Sequence, residues 1–139
     1  MRHPVHPAVV HFPIACWTLA TIGDVASLWL GKPAWWWAGV SLALGTTIAI
    51  FAMITGMIEI LRIANQKQRL KVAERHMQLI LLAWTVYATS LFMRLDGFRL
   101  TEPGIIEIGL SCLGFVILSI ASWFGAQLVY KYGVGLSDS

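Results

Sequence analysis

WWWAGVSLALGTTIAIFAMITGMIEILRI, residues 35–63, runs directly into ANQKQRLKVAER, residues 64–75. The first stretch carries only two charges, Glu59 and Arg62, and is longer than the roughly 20 residues a helix needs to cross a bilayer. The second carries Lys67, Arg69, Lys71 and Arg75 against the single acid Glu74. Basic loops stay on the cytoplasmic side of a membrane, so this junction predicts both a span and its direction.

Working outward, three more apolar stretches qualify, at about residues 9–30, 76–95 and 104–130. Gly31-Lys32-Pro33 forces the first two spans to be antiparallel neighbours, and Asp96-Gly97 with Glu102-Pro103-Gly104 punctuates the turn between the last two. The expectation is an all-α, integral membrane four-helix bundle, one domain over residues 1–139, with both termini cytoplasmic. Arg2 and Lys131 agree with that direction, while Arg94 and Arg99 weaken the contrast. Trp35, Trp36 and Trp37 are expected at the far interface as an aromatic belt, with Tyr130 and Tyr132 on the cytoplasmic side.

Composition supports lipid as the solvent. Of 139 residues 58% are hydrophobic and 12% charged, where soluble domains carry about 25% charged residues. A net charge of +3, concentrated in one loop, argues against nucleic acid as a partner. No cleavable signal peptide is read, so the first span is expected to be retained in a multi-pass protein of the bacterial inner membrane. Cys16 and Cys112 are expected in opposite halves of the bilayer, too far apart for a disulfide, as small core residues.

Charges inside spans are costly and each asks for a reason. Asp24 lies beyond the middle of the first span and is expected to pair with Arg94 or a hydroxyl such as Ser90, fixing helix packing or, less simply, relaying protons. From His76 the helical period reaches Ile80, Ala83, Tyr87, Ser90 and Arg94, a stripe that should face the bundle interior. Gly39 and Ala43, Gly45 and Ala49, Ala52 and Gly56 are small pairs at close-packing spacing, which serve helix contact or a cofactor slot equally. Glu59 is either an interfacial partner of Arg62 or part of a site. No internal repeat of the transporter kind is read.

Histidine gives the chemistry. His3, His6 and His11 crowd the N-terminus, and His76 is expected to open the third helix at the same membrane level. His11 precedes Pro13, which suits the first turn of a helix. One expectation is a small b-type cytochrome, with haem b held by His11 and His76 and its propionates paired by Arg62 or Arg75. Such a protein exchanges electrons with a quinol or redox-protein partner, as an oxidoreductase component. The alternative is a non-haem metal (Zn, Fe, Mn or Cu) on His6, His11, Glu59 and His76, or an accessory subunit of a homo-oligomer or larger complex with no cofactor. The metal set is awkward on a regular helix, because five residues from His6 to His11 turn about 500°. It requires residues 7–13 to be non-helical.

His6-Pro7-Ala8-Val9-Val10-His11-Phe12-Pro13, Asp24, Gly56-Met57-Ile58-Glu59, His76 and the ending Gln127-Leu128-Val129-Tyr130-Lys131-Tyr132-Gly133-Val134-Gly135 form one pattern. It resembles the bacterial membrane family called domain of unknown function 2231 over nearly the whole chain. Some relatives are joined to Rieske or cytochrome c-like domains, which implies membrane redox chemistry. This chain differs in having Glu59 where the family has Asp and Gly125-Ala126 where Gly-Gly is frequent, and it lacks a Cys-x-x-Cys-His motif.

Overall fold

The computed structural model describes residues 5–134; Arg2, His3 and Gly135 lie outside the described residues. Four helices, α1 (Val5–Leu30), α2 (Lys32–Arg62), α3 (Lys67–Met93) and α4 (Ile105–Tyr130), alternate in direction. A short antiparallel hairpin, β1 (Leu95–Asp96) and β2 (Arg99–Leu100), joins the last two. All four helices are long and apolar enough to cross a membrane. Each packs most extensively on its sequence neighbour, α1 on α2 and α3 on α4, and contacts of α2 with α3 and α1 with α4 close the ring. Gly31 makes the one-residue turn after α1 at φ +65°, a conformation that suits glycine. We call the end holding this turn and the hairpin the far end, and the other the terminal end.

Two helices start earlier than hydropathy predicts. The segment from Lys67 to Arg75, expected as a loop, forms the first turns of α3, so His76 sits in its third turn instead of opening it. Lys, Gln, Arg, Leu, Ala and Glu are good helix formers, and hydropathy marks where lipid ends, not where the helix does. Likewise α1 begins at Val5 and carries Pro13 in its interior rather than its first turn. The aromatic belt also needs correction. Trp36 and Trp37 face outward, but Trp35 turns in and is buried. Both cysteines are free, as expected, yet Cys112 is exposed rather than part of the core.

A repeat runs through the burial pattern. On α1 the buried residues include Pro13, Trp17, Ala20 and Asp24, and on α3 and its C-cap they include Ala83, Tyr87, Ser90 and Arg94. Each member of the second set stands at the number of its counterpart plus 70, the separation of the bonded pair Asp24 and Arg94. On α2 and α4 the shift is 69 positions (45 to 114, 49 to 118), matching Gly45 with Gly114, Ala49 with Leu118 and Ala52 with Ala121, all buried. The bundle is therefore two α-hairpins related by a pseudo-twofold along its axis, a parallel repeat that the sequence reading missed. Trp17, Tyr87, Leu42, Ala49 and Leu118 form the core around that axis.

Candidate functional site

Three tiers of paired side chains stack along the axis. In the far tier Arg94 donates to both Asp24 oxygens, at 2.7 and 2.9 Å, and both side chains are fully buried. Ser111 donates to Asp24 Oδ2 at 2.6 Å, Arg94 donates to Ser90 Oγ at 2.9 Å, and Ser90 donates to the Glu107 carbonyl at 3.0 Å. Helices α1, α3 and α4 are thus clasped by one closed network. It fits the packing role expected of Asp24.

In the middle tier Trp17 and Tyr87 stack with centroids 4.9 Å apart and planes 15° from parallel. The Tyr87 hydroxyl lies 2.9 Å from Thr21 Oγ1, and Trp17 Nε1–H donates to Thr46 Oγ1 at 3.3 Å.

The terminal tier is His6 and His76, again 70 positions apart (6 to 76) and both half-buried. His6 Nδ1 lies 2.9 Å from the Ala52 carbonyl on α2, and His76 Nδ1 lies 2.8 Å from the Ala121 carbonyl on α4. A carbonyl only accepts, so in each neutral ring Nδ1 carries the hydrogen and Nε2 keeps its lone pair. Each ring also lies against a glycine one turn further along. A Cβ at Gly56 would come within 2.9 Å of His6 Cε1, and one at Gly125 within 3.0 Å of His76 Cε1. Both halves thus present an imidazole on an Ala-x-x-x-Gly frame, Ala52–Gly56 and Ala121–Gly125.

Both imidazoles line a cavity of about 360 Å³ at the terminal end. Its other walls are chiefly aliphatic, including Ile14, Ile60, Ile80 and Val129, with Glu59, His11 and Tyr130 as further ionisable members. Its volume lies within the roughly 300–1,000 Å³ usual for small-molecule and cofactor sites. Two smaller facts bear on the donor set. Met77 lines the cavity, and its methyl stands 3.2 Å from the point where a Gly56 Cβ would be. Trp17 and both imidazoles border one further small void, so the terminal and middle tiers adjoin.

The residues singled out in the sequence divide as follows. His6, His11, Glu59 and His76 share the cavity, but His11 is exposed and makes no recorded hydrogen bond among the described residues. Because α1 is helical from Val5, His6 and His11 diverge by about 140° and cannot both face the axis. It is His6 that matches His76. Arg62 and Arg75 are exposed and outside the lining, and neither pairs with Glu59; among the described residues the recorded salt bridge is Asp24 with Arg94. No group of three or more His, Cys, Asp or Glu side chains able to hold a metal ion forms among the described residues. Tyr87, Asp24 and Arg94 are buried as expected but lie in the other tiers.

Four helices able to cross a membrane agree with one family description, predicted membrane protein (DUF2231), whose model matches residues 2–138. The chain belongs to this family. No curated protein and no solved structure matches it. The chemistry open to the DUF2231 chain lies in the tiers themselves. The far tier is saturated, the middle tier is packed, and the terminal tier offers two oriented lone pairs beside a cavity.

Proposed function

We propose that this DUF2231 protein is a small b-type cytochrome of the bacterial inner membrane. His6 and His76 would be the axial ligands of a haem b that exchanges electrons with a quinol or redox-protein partner. The observation that carries the reading is the pair of Nδ1 contacts to Ala52 and Ala121, which turns both Nε2 lone pairs into ligands-in-waiting. A structural zinc site takes four protein ligands and a catalytic one three, whereas haem iron needs only one or two from the protein. Two imidazoles from opposite halves of a bundle, lining one cavity with small and aliphatic residues, suit the second case. Bound haem would supply one-electron chemistry; the chain's own part is to hold the ligands, keep the macrocycle dry and set its potential.

The test is haem content of detergent-purified protein, read from reduced-minus-oxidised spectra. His6→Ala and His76→Ala should each lose at least nine-tenths of the bound haem, and His11→Ala should keep it. Full occupancy in both of the first two variants, or a colourless wild type carrying stoichiometric metal, would overturn the assignment. The proposed direction in the membrane puts the terminal end, with Lys67 to Arg75, in the cytoplasm. A cysteine at Lys67, in a chain lacking Cys16 and Cys112, should resist an impermeant thiol reagent added to intact cells. Labelling from outside would reverse the topology.

A further inference from the structure

Four rings on the axis rest on four glycines in the same manner, although only two of those rings are ligands in the reading above, on which this inference rests. Hypothetical Cβ atoms would stand 2.9 Å from His6 at Gly56, 3.0 Å from His76 at Gly125, 2.8 Å from Trp17 at Gly45 and 2.9 Å from Tyr87 at Gly114. Steric demand is therefore present at all four positions and mildest at Gly125. Its chemical meaning differs. At Gly56 and Gly125 the crowded atoms include Nδ1 itself, 3.2 and 3.3 Å from the added carbon, and that atom makes the bond to the carbonyl one turn back.

We propose that Gly56 and Gly125 are positioning residues that set the donor strength of His6 and His76. Without a side chain at these points each ring lies close enough to the neighbouring helix for Nδ1–H to reach its carbonyl. That bond raises the basicity of the opposite nitrogen, and a stronger donor favours ferric over ferrous iron. A methyl group at either glycine makes the ring tilt or slide, lengthens the bond and weakens the donor. The two halves differ in two respects. The Met77 methyl crowds the Gly56 point at 3.2 Å, while the near neighbours at Gly125 are all atoms of His76. The nearest ring atom is also closer at Gly56, 2.9 Å against 3.0 Å, so Gly56→Ala carries the larger effect.

The experiment is an equilibrium redox titration of the full-length, haem-loaded protein, followed at its α band, for Gly56→Ala, Gly125→Ala, Gly45→Ala and Gly114→Ala. Outer-shell partners of metal ligands typically contribute 10- to 100-fold to metal affinity. A tenfold loss of ferric preference raises a one-electron midpoint by about 59 mV. A rise of that order is expected for Gly56→Ala and a smaller one for Gly125→Ala. Gly45→Ala and Gly114→Ala should lower the unfolding temperature comparably and leave the potential in place. Gly125→Ala, the milder substitution, decides the matter if Gly56→Ala does not accumulate. Unmoved potentials in the first pair, or equal shifts in all four, overturn the positioning role alone. A wild type without a haem spectrum overturns the ligand assignment and this role with it.

Discussion

The far and terminal ends of the bundle axis are built on one backbone frame and finished in opposite ways. At the far end Asp24 and Arg94 satisfy each other and draw in Ser90 and Ser111, and no buried side-chain polar atom among the described residues lacks a partner. At the terminal end the corresponding pair, His6 and His76, turns away to backbone carbonyls and leaves one nitrogen of each ring uncommitted beside a cavity. A saturated pair locks helices together. An unsaturated pair on the same frame is, in the proposed reading, a socket.

The largest expected effect tests the lock. Asp24→Asn strands the Arg94 charge in the bundle interior, a loss on the order of 3–5 kcal/mol by analogy with broken buried pairs. Replacing both partners together, Asp24→Leu with Arg94→Met, should recover most of that loss. Thermal unfolding in detergent reads the difference, and haem per folded protein should stay at the wild-type value in both. Haem loss from a folded Asp24 variant would break the comparison, because the two ends would then be one site.

The smallest expected effect sharpens the socket. Glu59 lines the cavity, and its counterpart in the other half is Leu128 (59 to 128), so the frame itself does not require a carboxylate there. A nearby negative charge favours ferric iron. Glu59→Gln should therefore keep the haem and raise its midpoint, by less than the glycine substitutions do. A fall in potential, or loss of haem, would make Glu59 a ligand or a structural residue instead.

Much of this was legible in the sequence. The four spans follow from apolar length, and the period from His76 through Ala83, Tyr87, Ser90 and Arg94 does face inward, all but His76 and Ile80 fully buried. The Asp24–Arg94 pair followed from the cost of a lone charge in lipid. Two things were hidden. The choice between His6 and His11 depends on where α1 begins, and Pro7 and Pro13 argued locally for a later start than tertiary packing gives. The repeat is hidden because its far and middle pairs are complementary rather than alike. Asp faces Arg and Trp faces Tyr, so comparing the halves residue by residue finds little identity where contact is closest. The clearest trace left in sequence is the glycine spacing, 45 and 56 against 114 and 125.

The hairpin at residues 95–100 has a consequence for electrical behaviour. Leu100 packs where a Gly39 Cβ would be, 2.9 Å away, and Thr101 donates its backbone N–H to the Arg94 carbonyl at 2.8 Å. These contacts cork the far end beside the ion pair, which lies about 27 Å along α1 from His6 at 1.5 Å per residue. Moving one charge through the whole membrane field is worth about 2.3 kcal/mol per 100 mV. In the proposed reading, electrons entering and leaving the histidine tier from the terminal end would cross little of that field. Turnover there would be nearly electroneutral, insulated from the membrane voltage by the corked half of the same bundle.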